Sequence, residues 1–167
     1  AFISKYSRGL DYHIFMKQKL KKLASFLKSL DKNVKTKIIC DNGPLLEREI
    51  AVRAGLGWIG KNTNLINPRL GSFLFLGEIM TNLKVKSNSQ KYDNYCQNCS
   101  LCLENCRGEA LNPGQPYFLN DNKCISFLTQ KKGIISDFSR KLIKNHLWGC
   151  DRCQDICPFN KYIPLNL

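Results

Sequence analysis

Nine cysteines carry most of the chemistry that this sequence offers. Four stand at Cys96-x2-Cys99-x2-Cys102-x3-Cys106, and a stretched second run sets Cys124 ahead of Cys150-x2-Cys153-x3-Cys157-Pro158. Thiolates at the tight spacing wrap three corners of an iron–sulfur cubane within one loop. The fourth Cys, three residues further on, leaves that loop and ligates the other cluster. This crossed rule predicts one 4Fe–4S cluster on Cys96, Cys99, Cys102 and Cys157, and a second on Cys106, Cys124, Cys150 and Cys153. An insertion has carried Cys124 away, but the closing C-x3-C-P matches the end of a bacterial ferredoxin run. Zinc fits poorly, because four-Cys zinc sites usually pair two C-x2-C knuckles across a longer loop. Cys40 is left over and reads as a small buried apolar side chain.

Asp41 heads a second group, in the run D-N-G-P-L-L-E-R. A turn between a strand and a helix can aim one carboxyl into a cleft. The alternative is that Asp41 caps the helix expected from Pro44. Glu47 and Arg48 fall on the first turns of that helix, either solvated or in local ion pairs worth little. The loop that follows holds Gly55, Gly57 and Gly60, which would let backbone approach a large ligand closely. Its G-x-G-x2-G spacing is a chance match to a dinucleotide fingerprint, since no strand precedes it and no helix follows.

These groups need elements to hold them. Asp11 to Leu30 reads as an amphipathic helix capped by Asp11, with Tyr12, Phe15, Met16, Leu20, Leu23, Leu27 and Leu30 as a core-facing stripe. Val34 to Cys40 is a short strand. A helix is expected from Pro44 to about Ala54, ended by Gly55. Ser72 to Thr81 reads as a buried strand with Gly77 inside it. The polar stretch from Lys84, taken as a linker over 85–95, leads into a cysteine-rich domain over 96–167.

With 167 residues at 43% hydrophobic, the chain can bury a core. Lys and Arg number 26 against 13 Asp and Glu, a formal charge of +13 that favours a polyanion such as nucleic acid. Lys17, Lys19, Lys21, Lys22, Lys131, Lys132, Arg140, Lys141 and Lys144 are candidates to meet phosphates. No stretch reaches the length of a membrane span, and the N-terminus has no signal-peptide pattern. Clustered cysteines then point to metal in a reducing compartment, the cytoplasm. The start at AFISKYSRG reads as a point inside a longer protein.

The motifs D-N-G-P-L-L-E-R, A-G-L-G-W-I-G-K-N-T, G-S-F-L-F-L-G-E-I and G-C-D-R-C-Q-D-I-C-P-F-N, with S-R-G-L-D-Y-H near the start, resemble the epoxyqueuosine reductase family. The resemblance runs through essentially the whole chain. It implies a fold of the α+β class: part of an α/β cobalamin-binding domain over 1–84, then a bacterial ferredoxin-like domain with two 4Fe–4S clusters. It implies cobalamin as a further cofactor, receiving electrons through the clusters and activating the epoxide of epoxyqueuosine in tRNA. Such a reaction is the last step of queuosine biosynthesis. Asp41 matches the family's proton-donating aspartate. Tyr12, His13, Glu47 and Arg48 would line the cobalamin or substrate pocket, and the donor would be a flavodoxin or ferredoxin. The family also has chain ahead of the first motif and helical repeats after the cysteine domain. Two other readings remain open at this point: a ferredoxin-like electron carrier without a catalytic site, and a related cobalamin reductase of a small organohalide.

Overall fold

The computed structural model describes residues 1–41, 43–86 and 90–163. Among the described residues, six short strands form three separate two-stranded sheets. β1 (Phe2–Ile3) lies parallel to β6 (His146–Trp148). β2 (Thr36–Ile39) pairs antiparallel with β5 (Glu78–Thr81), Ile39 opposite Glu78. β3 (Trp58–Ile59) and β4 (Leu65–Ile66) make a hairpin. No helix among the described residues is long and apolar enough to cross a membrane.

The long helix α1 (Tyr12–Leu30) forms where expected, with Asp11 accepting from the His13 amide as its cap. Its stripe is only partly core. Leu20 and Ala24 are buried, whereas Phe15, Leu23 and Leu30 each stay at least half exposed. The reason is that α1 rests on one narrow sheet, β2 with β5, and that sheet covers little more than the Leu20 side.

Two further expectations are corrected. The helix α2 (Glu47–Arg53) starts three residues after Pro44, with Leu46 at its cap position. No side chain caps it, and Glu47 and Glu49 in its first turn complement its dipole instead. The strand expected over 72–81 forms only at Glu78–Thr81, because β2 offers just four residues to pair with. Asn42 of the D-N-G-P run lies outside the described residues.

Among its described residues the cysteine-rich half carries four short α-helices: α3 (Leu101–Glu104), α4 (Ile125–Gln130), α5 (Asp137–Ile143) and α6 (Arg152–Asp155). The first half is threaded into it at two places. β1 pairs with β6, and buried Ser4 donates to the buried Asp151 carboxylate, which also accepts the Lys5 amide at 2.8 Å. The β3–β4 hairpin is the second. Trp58, Ile66 and Cys157 form one core cluster, with Tyr95 and Phe159 meeting the indole edge-on.

Candidate active site and metal centres

Eight of the nine cysteines gather around two cavities. Cys96, Cys99, Cys102 and Cys157 line one of about 210 Å³, together with Ile66, Tyr95, Leu101 and Phe159. Cys106, Cys124, Cys150 and Cys153 line another of about 340 Å³. The long step from Cys106 to Cys124 is closed by the Asn120 amide donating to Ala110 O at 2.9 Å, and Cys124 then opens α4. Gly108 is needed there, since a Cβ on it would sit 2.0 Å from Lys123 O.

The thiols crowd one another. Burial pushes Cys102 up to about 11, and Cys96, Cys157 and Cys99 add to the effect. Cys153 is raised further by burial, with Cys150, Cys124 and Cys106 contributing next. Buried thiols such as Cys102 and Cys153 resist ionising unless a cation joins them. Among the described residues no three donor side chains converge closely enough for a single metal ion. Thiols that each bind a different iron of a cubane stand further apart than ligands of one zinc. Cys40 belongs to neither set: it is buried, and its thiol faces Leu76 O at 3.7 Å.

Asp41 follows β2 with φ 62°, a left-handed conformation that Asp tolerates better than most residues. It does not cap α2, which begins six residues later. Its amide donates to Glu47 Oε1 at 2.8 Å, and the Tyr12 hydroxyl donates to its carboxylate. Burial, followed by that hydrogen bond to Asp41, raises the Tyr12 phenol well above its ordinary range, so it stays a donor. Tyr12 is stacked between His13 and Phe75, both at 4.1 Å. His13 Nδ1 donates to Asp11 at 2.7 Å, while its buried Nε2 is 3.6 Å from Asp41 Oδ2. Glu78, opposite the end of β2, is raised by burial and then by Glu47.

The structure therefore brings Tyr12, His13 and Glu47 to Asp41. Arg48 turns the other way, donating to Thr63 O. Asp41, Glu47 and Arg48 line an open cleft of about 800 Å³, bounded by Leu45, Leu46, Ile59 and Phe118. Arg48, Thr63, Asn64, Leu119 and Asp121 line both this cleft and the second cysteine cavity. The basic candidates are all exposed, on α1 and on the segment around α4 and α5. The sequence reading missed the Lys61–Asn64 turn, whose side chains reach both cysteine cavities. Its signal in the sequence is a polar run between two apolar dipeptides, whose first three residues close the A-G-L-G-W-I-G-K-N-T motif.

Residues 1–42 match the family model "Epoxyqueuosine reductase QueG, DUF1730", and residues 95–160 match "4Fe-4S double cluster binding domain". The Francisella cf. novicida epoxyqueuosine reductase is 41% identical over 99% of this chain. Along nearly its whole length the chain is similar to epoxyqueuosine reductases. The Bacillus subtilis relative is 44% identical over 93% of the chain. A crystal structure of an epoxyqueuosine reductase with an epoxyqueuosine-modified tyrosine tRNA stem loop superposes on 96% of the chain, with TM-score 0.90 and 40% identity. The chain covers 46%, 39% and 42% of these three proteins, so it spans about half or less of the length of the relatives it matches.

Proposed function

We propose that this chain forms the electron relay and the acid of an epoxyqueuosine reductase, which reduces epoxyqueuosine to queuosine in tRNA. The observation that carries the reading is the shared wall. Arg48, Thr63 and Asn64 separate the second cysteine cavity from the cleft that holds Asp41. Electron delivery and proton delivery thus meet across one layer of side chains.

The residues suit the groups. Cys96, Cys99, Cys102 and Cys157 would hold one 4Fe–4S cluster, and Cys106, Cys124, Cys150 and Cys153 the other, each four surrounding one cavity. Clusters so bound supply single electrons. The open cleft, apolar at Leu45, Leu46 and Phe118 and charged at Glu47 and Arg48, suits a large ring with polar edges, and we assign cobalamin there. In this division of labour residues 1–84 serve cofactor and substrate, 96–167 serve the clusters, and 85–95 connect them.

Removing an epoxide oxygen as water takes two electrons and two protons. The Asp41 carboxyl, held by Tyr12 and by Glu47 through its amide, gives a proton to that oxygen. His13 stacks on Tyr12 and fixes its ring. The exposed lysines of α1 and of the α4–α5 segment meet tRNA phosphates, and a flavodoxin or ferredoxin in the cytoplasm loads the clusters. The tRNA stem loop bound in the related structure supports this choice of substrate.

Mass spectrometry of tRNA nucleosides from cells lacking the activity tests the proposal. The full-length protein should restore queuosine. Asp41→Asn should keep its iron and its cobalamin spectrum yet lose about 100-fold or more of turnover. Normal conversion by that variant would remove Asp41 from the reaction. No conversion by cluster-loaded full-length protein would favour a simple electron carrier.

A further inference from the structure

The turn of the β3–β4 hairpin enters the cysteine half as a wedge. Gly60 and Asn64 close it, Gly60 N donating to Asn64 O at 2.9 Å, and Thr63 adopts φ 64° within it. Lys61 extends from this turn into the first cysteine loop. Its ammonium donates to the carbonyls of Gln97 at 2.5 Å and Cys99 at 3.0 Å. Asn62, only 3% exposed, donates to Cys153 O at 3.2 Å in the other loop. The same few residues therefore bind the backbone of both cysteine sets.

The charges around the two cavities differ. Arg48, Arg107, Asp121 and Arg152 stand around the second. Among the described residues lining the first, Lys61 is the single charged side chain, and Ile66, Tyr95, Leu101, Pro158 and Phe159 fill most of the rest. A cation against a mostly apolar wall is poorly screened. A cluster that gains an electron gains a negative charge, and a fixed nearby cation favours that reduced form, raising its potential.

We propose that Lys61 is a positioning residue for electron transfer that sets the potential of the first cluster above what its apolar cavity would otherwise give. The ammonium is held by two carbonyls of the ligand loop, so its distance from the cluster is fixed by the fold. The cavity of the second cysteine set, not that of the first, shares its wall with the Asp41 cleft. This inference rests on the ligand assignment proposed above.

An anaerobic redox titration of the full-length protein, followed by electron paramagnetic resonance and iron analysis, tests it. The first cluster is identified as the signal lost in Cys102→Ser. Lys61→Gln keeps a donor toward the loop but removes the charge. It should lower the first midpoint by about 59 mV, equal to a tenfold change in the ratio of reduced to oxidised cluster for one electron. The second midpoint should stay in place, and Lys61→Arg should restore the first. An unmoved first midpoint, or two midpoints that fall together, would overturn the proposal. Loss of iron from Lys61→Gln would also overturn it, by making Lys61 a clamp rather than an electrostatic element. Wild-type protein holding only one cluster would instead refute the ligand assignment.

Discussion

Cys40 and Cys102 show how differently the same side chain behaves. Cys102 sits among three other thiols, which with burial hold it at about 11. Cys40 follows β2 with its thiol toward Leu76 O and is raised by burial without another thiol beside it. Cys40→Ser should leave the iron content of purified protein unchanged and cost about 1 kcal/mol of stability, as small core changes do. Cys102→Ser should cost up to one cluster's iron. Equal iron loss in both variants would break the ligand assignment. That Cys96, Cys99 and Cys102 share one cavity was legible because spacing within a loop is a local property of the chain, whereas Cys157 reaches that cavity from the far end of the cysteine-rich half. The Tyr12–Asp41 hydrogen bond was not, since it joins residues 29 positions apart through the packing of α1 on β2.

At the scale of elements, the β3–β4 hairpin forms within a stretch whose glycines predict only a loop. Its strands are two residues each, too short for an alternating pattern to register. Tertiary contacts make them strands: Trp58 between Tyr95 and Phe159, and Ile66 fully buried beside Cys157. Gly57 permits this approach, because a Cβ there would lie 2.0 Å from Ile66 O across the hairpin. Backbone cannot yield as a side-chain tip can. Gly57→Ala should therefore destabilise the protein by about 1–3 kcal/mol, as overpacking does, and it should lower iron occupancy because Asn62, which donates to Cys153 O, is displaced. Chemical denaturation and iron analysis check this. A variant with wild-type midpoint and full iron would mean that the hairpin is not needed to hold the cysteine loops. Likewise α2 begins late because Leu46, not Asp41, occupies its cap position, which frees Asp41 for the cleft.

The whole molecule is held together by contacts that no local pattern announces. Ser4 and Asp151 are 147 positions apart, and each is 1% exposed. A buried carboxylate needs donors, and Asp151 finds them in the Ser4 hydroxyl and the Lys5 amide. Because Asp151 lies between Cys150 and Cys153, these bonds tie the first residues of the chain to the loop that carries the second cysteine set. β1 against β6 extends the same seam. In Asp151→Asn the side chain keeps its size but presents one oxygen and an amide to two donors, so one donor is left unsatisfied. That costs about 1–3 kcal/mol. The loss should be local in its first effect. Amide hydrogen exchange should quicken at Phe2 to Tyr6, while α1, which rests mainly on β2 and β5, keeps its protection. Faster exchange at the seam together with early loss of the second cluster's iron would show that the first residues brace the metal loop. Unchanged exchange at Phe2 to Tyr6 would show that β1 is held by its pairing with β6 alone, and that the buried carboxylate serves only the turn in which it lies.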